Sequence, residues 1–163
     1  MKKISGNKLL VKALSEEQVD TIFGYPGACT IDISDELYKQ DYTKVILPRQ
    51  EVALVHEADA YARSTGKVGV CLVTSGPGAT NLVTGVADAN SDGAPLIAIT
   101  GQVGTERMHL TSHQYLDLVE MFEPITKRSK QILRPDTVNE IVRIAFKYAE
   151  SEKPGAAHID LPC

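Results

Sequence analysis

The residue of this chain with the clearest capacity for proton chemistry is Glu51, which opens the apolar segment EVALVHEADAYAR. A carboxylate in the first turn of a helix is stabilised by the helix dipole, typically by about 0.3–1 kcal/mol, so a single glutamate there is commonly a structural cap. Neighbours such as Val52, Leu54 and Val55 would surround this carboxyl group with apolar surface. In such surroundings a carboxyl group can exchange a proton with a weakly basic ring nitrogen. Glu51 is therefore also a candidate general acid–base.

A glycine-rich turn, SGPGATN at 75–81, follows the next apolar strand. The backbone N–H groups that such a turn exposes can bind a phosphate group. The turn lacks the lysine and the serine or threonine of a P-loop, and its spacing is not that of a dinucleotide-binding turn, so these two functions are disfavoured. A tight turn that simply requires glycine dihedral angles explains the residues alone equally well.

Two further segments carry turn-forming or polar residues. The segment FGYPG at 23–27 follows a short strand, and Pro and Gly are common in any turn from strand to helix. Gln114 lies in the segment SHQY at 112–115, where a glutamine would ordinarily be solvated. Neither segment indicates chemistry by itself.

The hydrophobic period between these residues alternates between that of a helix and that of a strand. Uniformly apolar runs, VCLV at 70–73 and LIAI at 96–99, are typical of parallel strands buried on both faces. Alternating helices and strands predict an α/β fold: a three-layer αβα, doubly wound, six-stranded parallel sheet with helices on both faces. We predict helices at 5–17, 30–40, 51–64, 79–90, 117–122 and 136–151, and strands at 20–25, 44–47, 68–74, 95–100, 125–132 and 156–161.

The informative segments all fall at the carboxyl ends of predicted strands. They are Pro26-Gly27, Glu51, Gly76-Pro77-Gly78 and Gly101-Gln102. Ligands of open parallel sheets bind beyond these ends. We therefore expect one site at this edge of the sheet.

Length and composition exclude several classes of protein. The chain has 163 residues, 43% of them hydrophobic and 23% charged, as in an ordinary globular domain. Its formal charge of −4 gives no basic surface for nucleic acid. No apolar run approaches the roughly 20 residues of a membrane helix, and the start of the chain lacks a signal-peptide core. Three cysteines without metal-ligand spacing favour reduced thiols, with Cys71 in the core, and a cytoplasmic location.

Together, FGYPG, the helix headed by Glu51 and the turn SGPGATN resemble the pyrimidine-binding domain of thiamine-diphosphate enzymes, and within them the acetolactate synthase group. The resemblance covers essentially the whole chain. It implies that Glu51 hydrogen-bonds the aminopyrimidine of thiamine diphosphate and relays a proton when the cofactor is activated. It also implies that several turn and loop residues bind the cofactor or line the reaction chamber: Tyr25, Pro26, Gly27, Thr74, Gly76, Pro77, Gly78, Asn81 and Gln114, with Gln102 as a further candidate for a polar wall.

The resemblance also defines what the sequence lacks. The family holds the cofactor's diphosphate and Mg²⁺ through a Gly-Asp-Gly motif followed by an asparagine pair, and no such pattern occurs here. We therefore interpret residues 1–163 as a pyrimidine-binding domain whose central and pyrophosphate-binding domains are absent from this chain. The chain would then be part of a larger enzyme or, alternatively, a separate subunit, and inactive in isolation. FAD is a further cofactor that the full-length enzyme could hold.

The activity implied for the full enzyme is condensation of pyruvate, after decarboxylation, with a second 2-oxo acid to give acetolactate. Features of biosynthetic and catabolic acetolactate synthases are both present, and the flanks of Glu51 read RQEVA where the family commonly has RHEQG. The alternatives are another thiamine enzyme, either a sulfoacetaldehyde acetyltransferase or a split 2-oxo-acid decarboxylase, and a non-catalytic assembly domain.

The resemblance further implies a homodimer or tetramer in which the cofactor is anchored by the pyrophosphate-binding domain of a second chain. The helices at 51–64 and 79–90 carry more small and apolar residues than one sheet face needs, so we expect them to form the interface. These residues are Ala53, Leu54, Ala58, Ala60, Tyr61, Leu82, Val83 and Val86.

Overall fold

The computed structural model describes residues 4–109 and 111–163, and these form a parallel sheet of six strands flanked by helices. The strands are β1 (Thr21–Gly24), β2 (Lys44–Ile46), β3 (Gly69–Val73), β4 (Leu96–Gln102), β5 (Arg128–Gln131) and β6 (Ala156–Pro162). The α-helices are α1 (Gly6–Glu16), α2 (Ile31–Tyr38), α3 (Glu51–Thr65), α4 (Pro77–Thr80), α5 (Val83–Asp92), α6 (Leu118–Phe122) and α7 (Val138–Glu150).

The strand order is β2-β1-β3-β4-β6-β5, and every pairing is parallel. The chain first moves from β1 to β2 on one side, and then returns to place β3 on the other side of β1. This reversal creates a crevice at the carboxyl ends of β1 and β3, the position at which doubly wound sheets bind their ligands.

Two hydrophobic cores lie on opposite faces of the sheet. Alternate residues of β3 divide between them: Val70 and Leu72 face the core built with α1, α2 and α7, whereas Cys71 and Val73 face the core built with α3, α5 and α6. All five residues of β3 and all seven of β4 are buried, which explains why both strands are almost uniformly apolar. The predicted three-layer, doubly wound α/β fold is confirmed.

Most element boundaries differ from the sequence prediction by one or two residues, and three differences change how the chain runs. The single helix predicted at 79–90 is instead two helices, because the N–H of Leu82 bonds the carbonyl of Ala79 and tightens the chain between α4 and α5. The strand predicted at 125–132 begins only at Arg128, since Glu123–Ile125 forms a 3₁₀ turn. Strand β4 continues to Gln102, two residues beyond its predicted end.

The prediction that the two helices carry surplus apolar residues for an interface is wrong for four of the eight residues. Leu54, Ala58, Leu82 and Val86 are all 0% exposed within this chain, because they pack beneath α3 and α5 against the sheet. Tyr61 and Val83 are half-buried against the same core, and Ala53 and Ala60 are exposed. The fold therefore already uses most of this surface.

Among the described residues, no helix combines the length and apolarity needed to span a bilayer.

Candidate active site at the carboxyl end of the sheet

Thr74, the residue directly after β3, is the centre of the candidate site. Its hydroxyl accepts a hydrogen bond from the backbone N–H of Cys29 at 3.3 Å, which ties the turn after β1 to the end of β3. A Cβ atom on Gly27 would lie 2.5 Å from the Cβ of Thr74, and one on Gly78 would lie 2.9 Å from its Cγ2. Only glycine therefore fits at these two positions without a shift of the turn.

Glu51 stands beside this surface at the first residue of α3, where its side chain is half-buried. The side-chain amide of Asn81 donates a hydrogen bond to Oε2 of Glu51 at 3.0 Å. The other oxygen, Oε1, would be 3.7 Å from a Cβ atom on Gly78. The carboxylate is thus held by one oxygen and faces the glycine turn with the other. Gln50, the residue before α3, makes no side-chain capping bond, and Glu51 is the acidic residue in the first turn of the helix.

The apolar surroundings predicted for Glu51 are present on one side only. Leu54 and Val55 are fully buried, but they point into the core, and Ala53 is exposed. The carboxylate therefore lies at the border between the core and the open crevice.

A second contact closes the glycine turn against the loop that carries Gln114. Gly76 has φ +60° and ψ −119°, a conformation that side chains rarely adopt, and Gln114 has φ +62°. A Cβ atom on Gly76 would lie 2.9 Å from the backbone oxygen of Gln114 and 3.1 Å from its Cα. The structure therefore brings the loop residue Gln114 directly onto the turn at 75–81.

The remaining predicted site residues are placed differently. Tyr25 and Pro26 line an apolar groove of about 250 Å³ with Leu47 and Tyr38, on the β2 side of the crevice. Pro77 begins α4 and is exposed. These three residues thus lie at the border of the cluster formed by Gly27, Glu51, Thr74, Gly76, Gly78, Asn81 and Gln114.

Gln102 does not form an open polar wall. It is 1% exposed, and its side-chain amide donates to the carbonyl of Leu116 at 2.8 Å while its Oε1 accepts from the N–H of Val103 at 3.1 Å. Gln102 lies beneath the loop that carries Gln114.

Comparison with known proteins supplies the family. Residues 4–121 match the family described as "Thiamine pyrophosphate enzyme, N-terminal TPP binding domain". The chain belongs to this family. The turn geometry and the helix-start glutamate described above are therefore features of a TPP-binding domain, and TPP is thiamine diphosphate.

The TPP-binding domain is similar over almost its whole length to acetolactate synthase large subunits. It is 47% identical over 159 residues to a probable large subunit of Methanococcus aeolicus, covering 98% of this chain and 26% of that protein. It is 44% identical over 161 residues to the large subunit of Lactococcus lactis, and 41% identical over 162 residues to the isozyme 3 large subunit of Escherichia coli, covering 99% of this chain and 28% of each relative. The chain spans about a quarter of the length of these curated relatives.

The donor set of the site fits the aminopyrimidine end of thiamine diphosphate. Gly27 and Gly78 pack directly on the side chain of Thr74, since a Cβ atom at either position would overlap it, and this brings the turn after β1 and the glycine turn together beside Glu51. The carboxyl group of Glu51, with Oε1 beside Gly78, is the type of group that can form a hydrogen bond with a ring nitrogen. Among residues 4–109 and 111–163, no group of three or more His, Cys, Asp and Glu residues is arranged to hold a metal ion.

Sequence reasoning missed a buried polar cluster next to the site. The imidazole of His158 bonds the hydroxyls of Thr100 at 2.9 Å and Ser129 at 2.8 Å, and its ring stacks on Phe122. Asp160 accepts hydrogen bonds from Thr100 at 2.8 Å and from the amide of Gln131 at 2.6 Å. The sequence signal was the pair of polar residues within the otherwise apolar segment AAHIDL of β6.

Burial shifts both titratable groups of this cluster toward their neutral forms. It lowers the pKa of His158 to about 3 and raises the pKa of Asp160 to about 6. The cluster therefore connects β4, β5 and β6 beneath α6 as a set of hydrogen bonds rather than as an ion pair.

Cysteines contribute to both the core and the site. Cys71 is fully buried, and burial raises the pKa of its thiol to about 12, so the prediction of an inert core thiol is confirmed. Cys29, which the sequence did not single out, follows Gly27 and accepts a hydrogen bond at its sulfur from the hydroxyl of Ser75 at 3.5 Å. All three cysteines of the chain are free thiols.

Proposed function

We propose that this TPP-binding domain supplies the cofactor-activating half of an acetolactate synthase active site. The observation that carries the proposal is the Glu51 carboxylate at the carboxyl end of the sheet, with Oε2 held by Asn81 and Oε1 beside Gly78 of the glycine turn. The relatives that match nearly the whole chain at 41–48% identity support acetolactate synthase as the parent activity. In that activity pyruvate loses carbon dioxide, and the remaining two-carbon unit joins a second 2-oxo acid.

Thiamine diphosphate, when bound, would supply a nucleophilic carbon that attacks the keto group and stabilises the charge left by decarboxylation. Glu51 would hold a hydrogen bond to the ring nitrogen N1′ of the aminopyrimidine and pass a proton across it. A positioned carboxylic acid at hydrogen-bonding distance is the requirement for general acid–base catalysis. Glu51 is therefore the residue to which we assign the catalytic role.

The neighbouring residues would position the ring and bound the reaction chamber. Asn81 would keep Glu51 in one rotamer through its hydrogen bond. Gly27, Thr74 and Gly78 would support the flat faces of the cofactor, and Gln114 would present a polar side chain beside the turn. Tyr25, Pro26, Gly76 and Pro77 would shape the rim of the chamber. These assignments follow from the positions of the residues around Thr74 and from the family.

We also propose that the diphosphate and Mg²⁺ are held outside residues 1–163, by the pyrophosphate-binding domain of a second chain. The relatives are almost four times as long as this chain, which leaves room for a central and a pyrophosphate-binding domain. A homodimer or tetramer in the cytoplasm, with residues 1–163 inactive alone, completes the proposal. An FAD site would belong to the same outer domains.

The alternatives carry less support. Another thiamine enzyme, such as a sulfoacetaldehyde acetyltransferase or a split 2-oxo-acid decarboxylase, is not favoured by relatives that are described as acetolactate synthases. A non-catalytic assembly domain would not require the hydrogen bond between Glu51 and Asn81 at the carboxyl end of the sheet.

The test uses the full-length polypeptide that carries this chain, supplied with thiamine diphosphate, Mg²⁺ and pyruvate. We expect acetolactate to form, and we expect Glu51→Gln to lower its rate by about 10²–10⁴-fold. The matched control is Glu57→Gln, which alters an exposed glutamate on the same helix and should leave the rate unchanged. Release of acetaldehyde as the main product, with no acetolactate, would contradict the proposed reaction.

A further inference from the structure

The loop between β4 and α6 must hold Gln114 in one place if that residue is to line the active site. The loop touches the glycine turn at Gly76, where the backbone of Gln114 leaves no room for a side chain. Its end is fixed by Asp117, whose carboxylate accepts the backbone N–H of Glu120 at 2.9 Å and begins α6. Between these two points, the carbonyl of Leu116 is held by the side chain of Gln102.

Gln102 is well built for this task because it is fixed to the sheet. It is the last residue of β4, in register with Pro162 of β6, and its carbonyl accepts the N–H of Cys163 at 2.9 Å. Its side chain is almost wholly buried, and both ends of the amide are used, one for Val103 and one for Leu116. The end of β4 is thereby bonded to a loop position two residues after Gln114.

We propose that Gln102 is a positioning residue that acts through Gln114. Its amide fixes the distance between the end of β4 and the loop, and so sets the side chain of Gln114 against the turn at 75–81. This inference rests on the proposed function, because it requires that Gln114 contributes to the reaction.

A purely structural role for Gln102 makes a different prediction. A buried amide that merely satisfies a carbonyl would affect stability and would not act through one loop residue. Gln131 is the matched case: its half-buried amide also donates one hydrogen bond, to Asp160, and among the described residues it makes no bond to the loop. Loss of a positioning bond should instead change the rate, because small displacements of a group at the reacting centre can lower catalysis by large factors.

The experiment is a double-mutant cycle in the full-length enzyme with Gln102→Met and Gln114→Ala, and Gln131→Met as the control. We expect each single variant of the cycle to lower kcat by about tenfold or more. The double variant should be no slower than the slower single variant, since both act through the same group. Gln131→Met should reduce stability and keep kcat within about twofold of the unaltered enzyme.

Hydrogen exchange followed by mass spectrometry gives a second readout that does not depend on turnover. Gln102→Met should speed exchange across 111–117 and leave the exchange of β3 unchanged. Multiplicative rate effects in the double variant, or unchanged loop exchange, would overturn the positioning role.

The cycle also separates this inference from the function on which it rests. If Glu51→Gln lowers turnover by about 10²–10⁴-fold as proposed but Gln102→Met has no effect on kcat, only the positioning role fails. If the unaltered enzyme forms no acetolactate, the proposed reaction fails, and if Glu51→Gln leaves the rate unchanged, the proposed role of this domain in activating the cofactor fails.

Discussion

The side-chain amide of Asn81 bonds the carboxylate of Glu51 at 3.0 Å, across 30 residues of chain. Asn81 lies at the tight junction between α4 and α5, and Glu51 is the first residue of α3. The bond therefore connects the glycine turn after β3 with the only acidic group in the first turn of α3. One residue therefore does both: the backbone N–H of Asn81 caps α4, and its side-chain amide orients the proposed proton relay.

Removal of this amide should weaken catalysis without unfolding the domain. We expect Asn81→Ala to lower turnover of the full-length enzyme by about ten- to a hundredfold, because the Glu51 side chain would sample several rotamers. Steady-state kinetics at saturating thiamine diphosphate would measure the change. Thr80→Ala is the matched control, since Thr80 is exposed in the same turn and its hydroxyl bonds, among the described residues, only the carbonyl of Pro77. Equal losses in the two variants would contradict a specific role for Asn81.

The close contact between Gly78 and Thr74 predicts a rescue. Gly78→Ala should destabilise the chain by about 1–3 kcal/mol, because its new Cβ would lie 2.9 Å from Cγ2 of Thr74. Thr74→Ser removes that methyl group and keeps the hydroxyl that bonds Cys29. In urea unfolding, the double variant should therefore be more stable than Gly78→Ala alone. Additive losses would show that the contact is not responsible.

Two glycines with positive φ should differ strongly in their tolerance of alanine. Gly66 ends α3 at φ +72° and has open space around it, whereas Gly76 at φ +60° faces the backbone of Gln114. We expect Gly66→Ala to cost about 1 kcal/mol, which is the dihedral penalty alone. Gly76→Ala should cost at least about 3 kcal/mol, because overpacking against an immobile backbone is added. Similar unfolding free energies for the two variants would contradict the observed contact.

The buried His158 predicts a loss of stability in acid. Burial lowers the pKa of His158 to about 3, whereas a histidine in the unfolded chain titrates with its ordinary pKa of about 6.5. Below pH 6.5 the unfolded state therefore binds the extra proton, so stability falls from about pH 6.5 to about pH 3. We expect the contribution to reach a few kcal/mol.

The control for this prediction is His158→Gln, which keeps a polar side chain between Thr100 and Ser129 and removes the titration. Its unfolding free energy should be lower at pH 7 and should change less between pH 6.5 and pH 4. Asp160 is present in both proteins and has the opposite effect, since its raised pKa of about 6 favours the folded state in acid. Parallel pH profiles for the two proteins would show that His158 is not the group responsible.

The architecture could be predicted from the sequence because the apolar pattern that identifies each strand or helix lies within a short segment of chain. Apolar runs such as LIAI at 96–99 identify buried parallel strands, and the intervening helices then determine the layers. The break after Asn81 could not be predicted, since it depends on a shift from i→i−4 to i→i−3 bonding at Leu82 rather than on a helix-breaking residue. The delayed start of β5 arises from a 3₁₀ turn that contains Pro124.

The chemistry of the site was less accessible than its location. Glu51 and the turn at 75–81 could be identified from residue type and position, but the partner of the carboxylate depends on a contact 30 residues away. The groove lined by Tyr25 and Pro26 depends on packing against residues from other segments of the chain, such as Leu47. Gln102 resembled an exposed polar residue at a strand end, and only the packing of the following loop shows that it is buried. The prediction of surplus apolar residues on α3 and α5 was wrong because half of these residues pack against the sheet within this chain.

The central claim is that Glu51 relays a proton for thiamine diphosphate, and exchange of the cofactor's C2 proton tests it most directly. The measurement is NMR of hydrogen–deuterium exchange at C2 in the full-length enzyme, for the unaltered protein, Glu51→Gln and Glu57→Gln. Our account predicts that Glu51→Gln still binds the cofactor but slows exchange by about 10²–10⁴-fold, while Glu57→Gln exchanges at the unaltered rate. Unchanged C2 exchange in Glu51→Gln, with the cofactor bound, would reduce Glu51 to the cap of a helix and contradict the account.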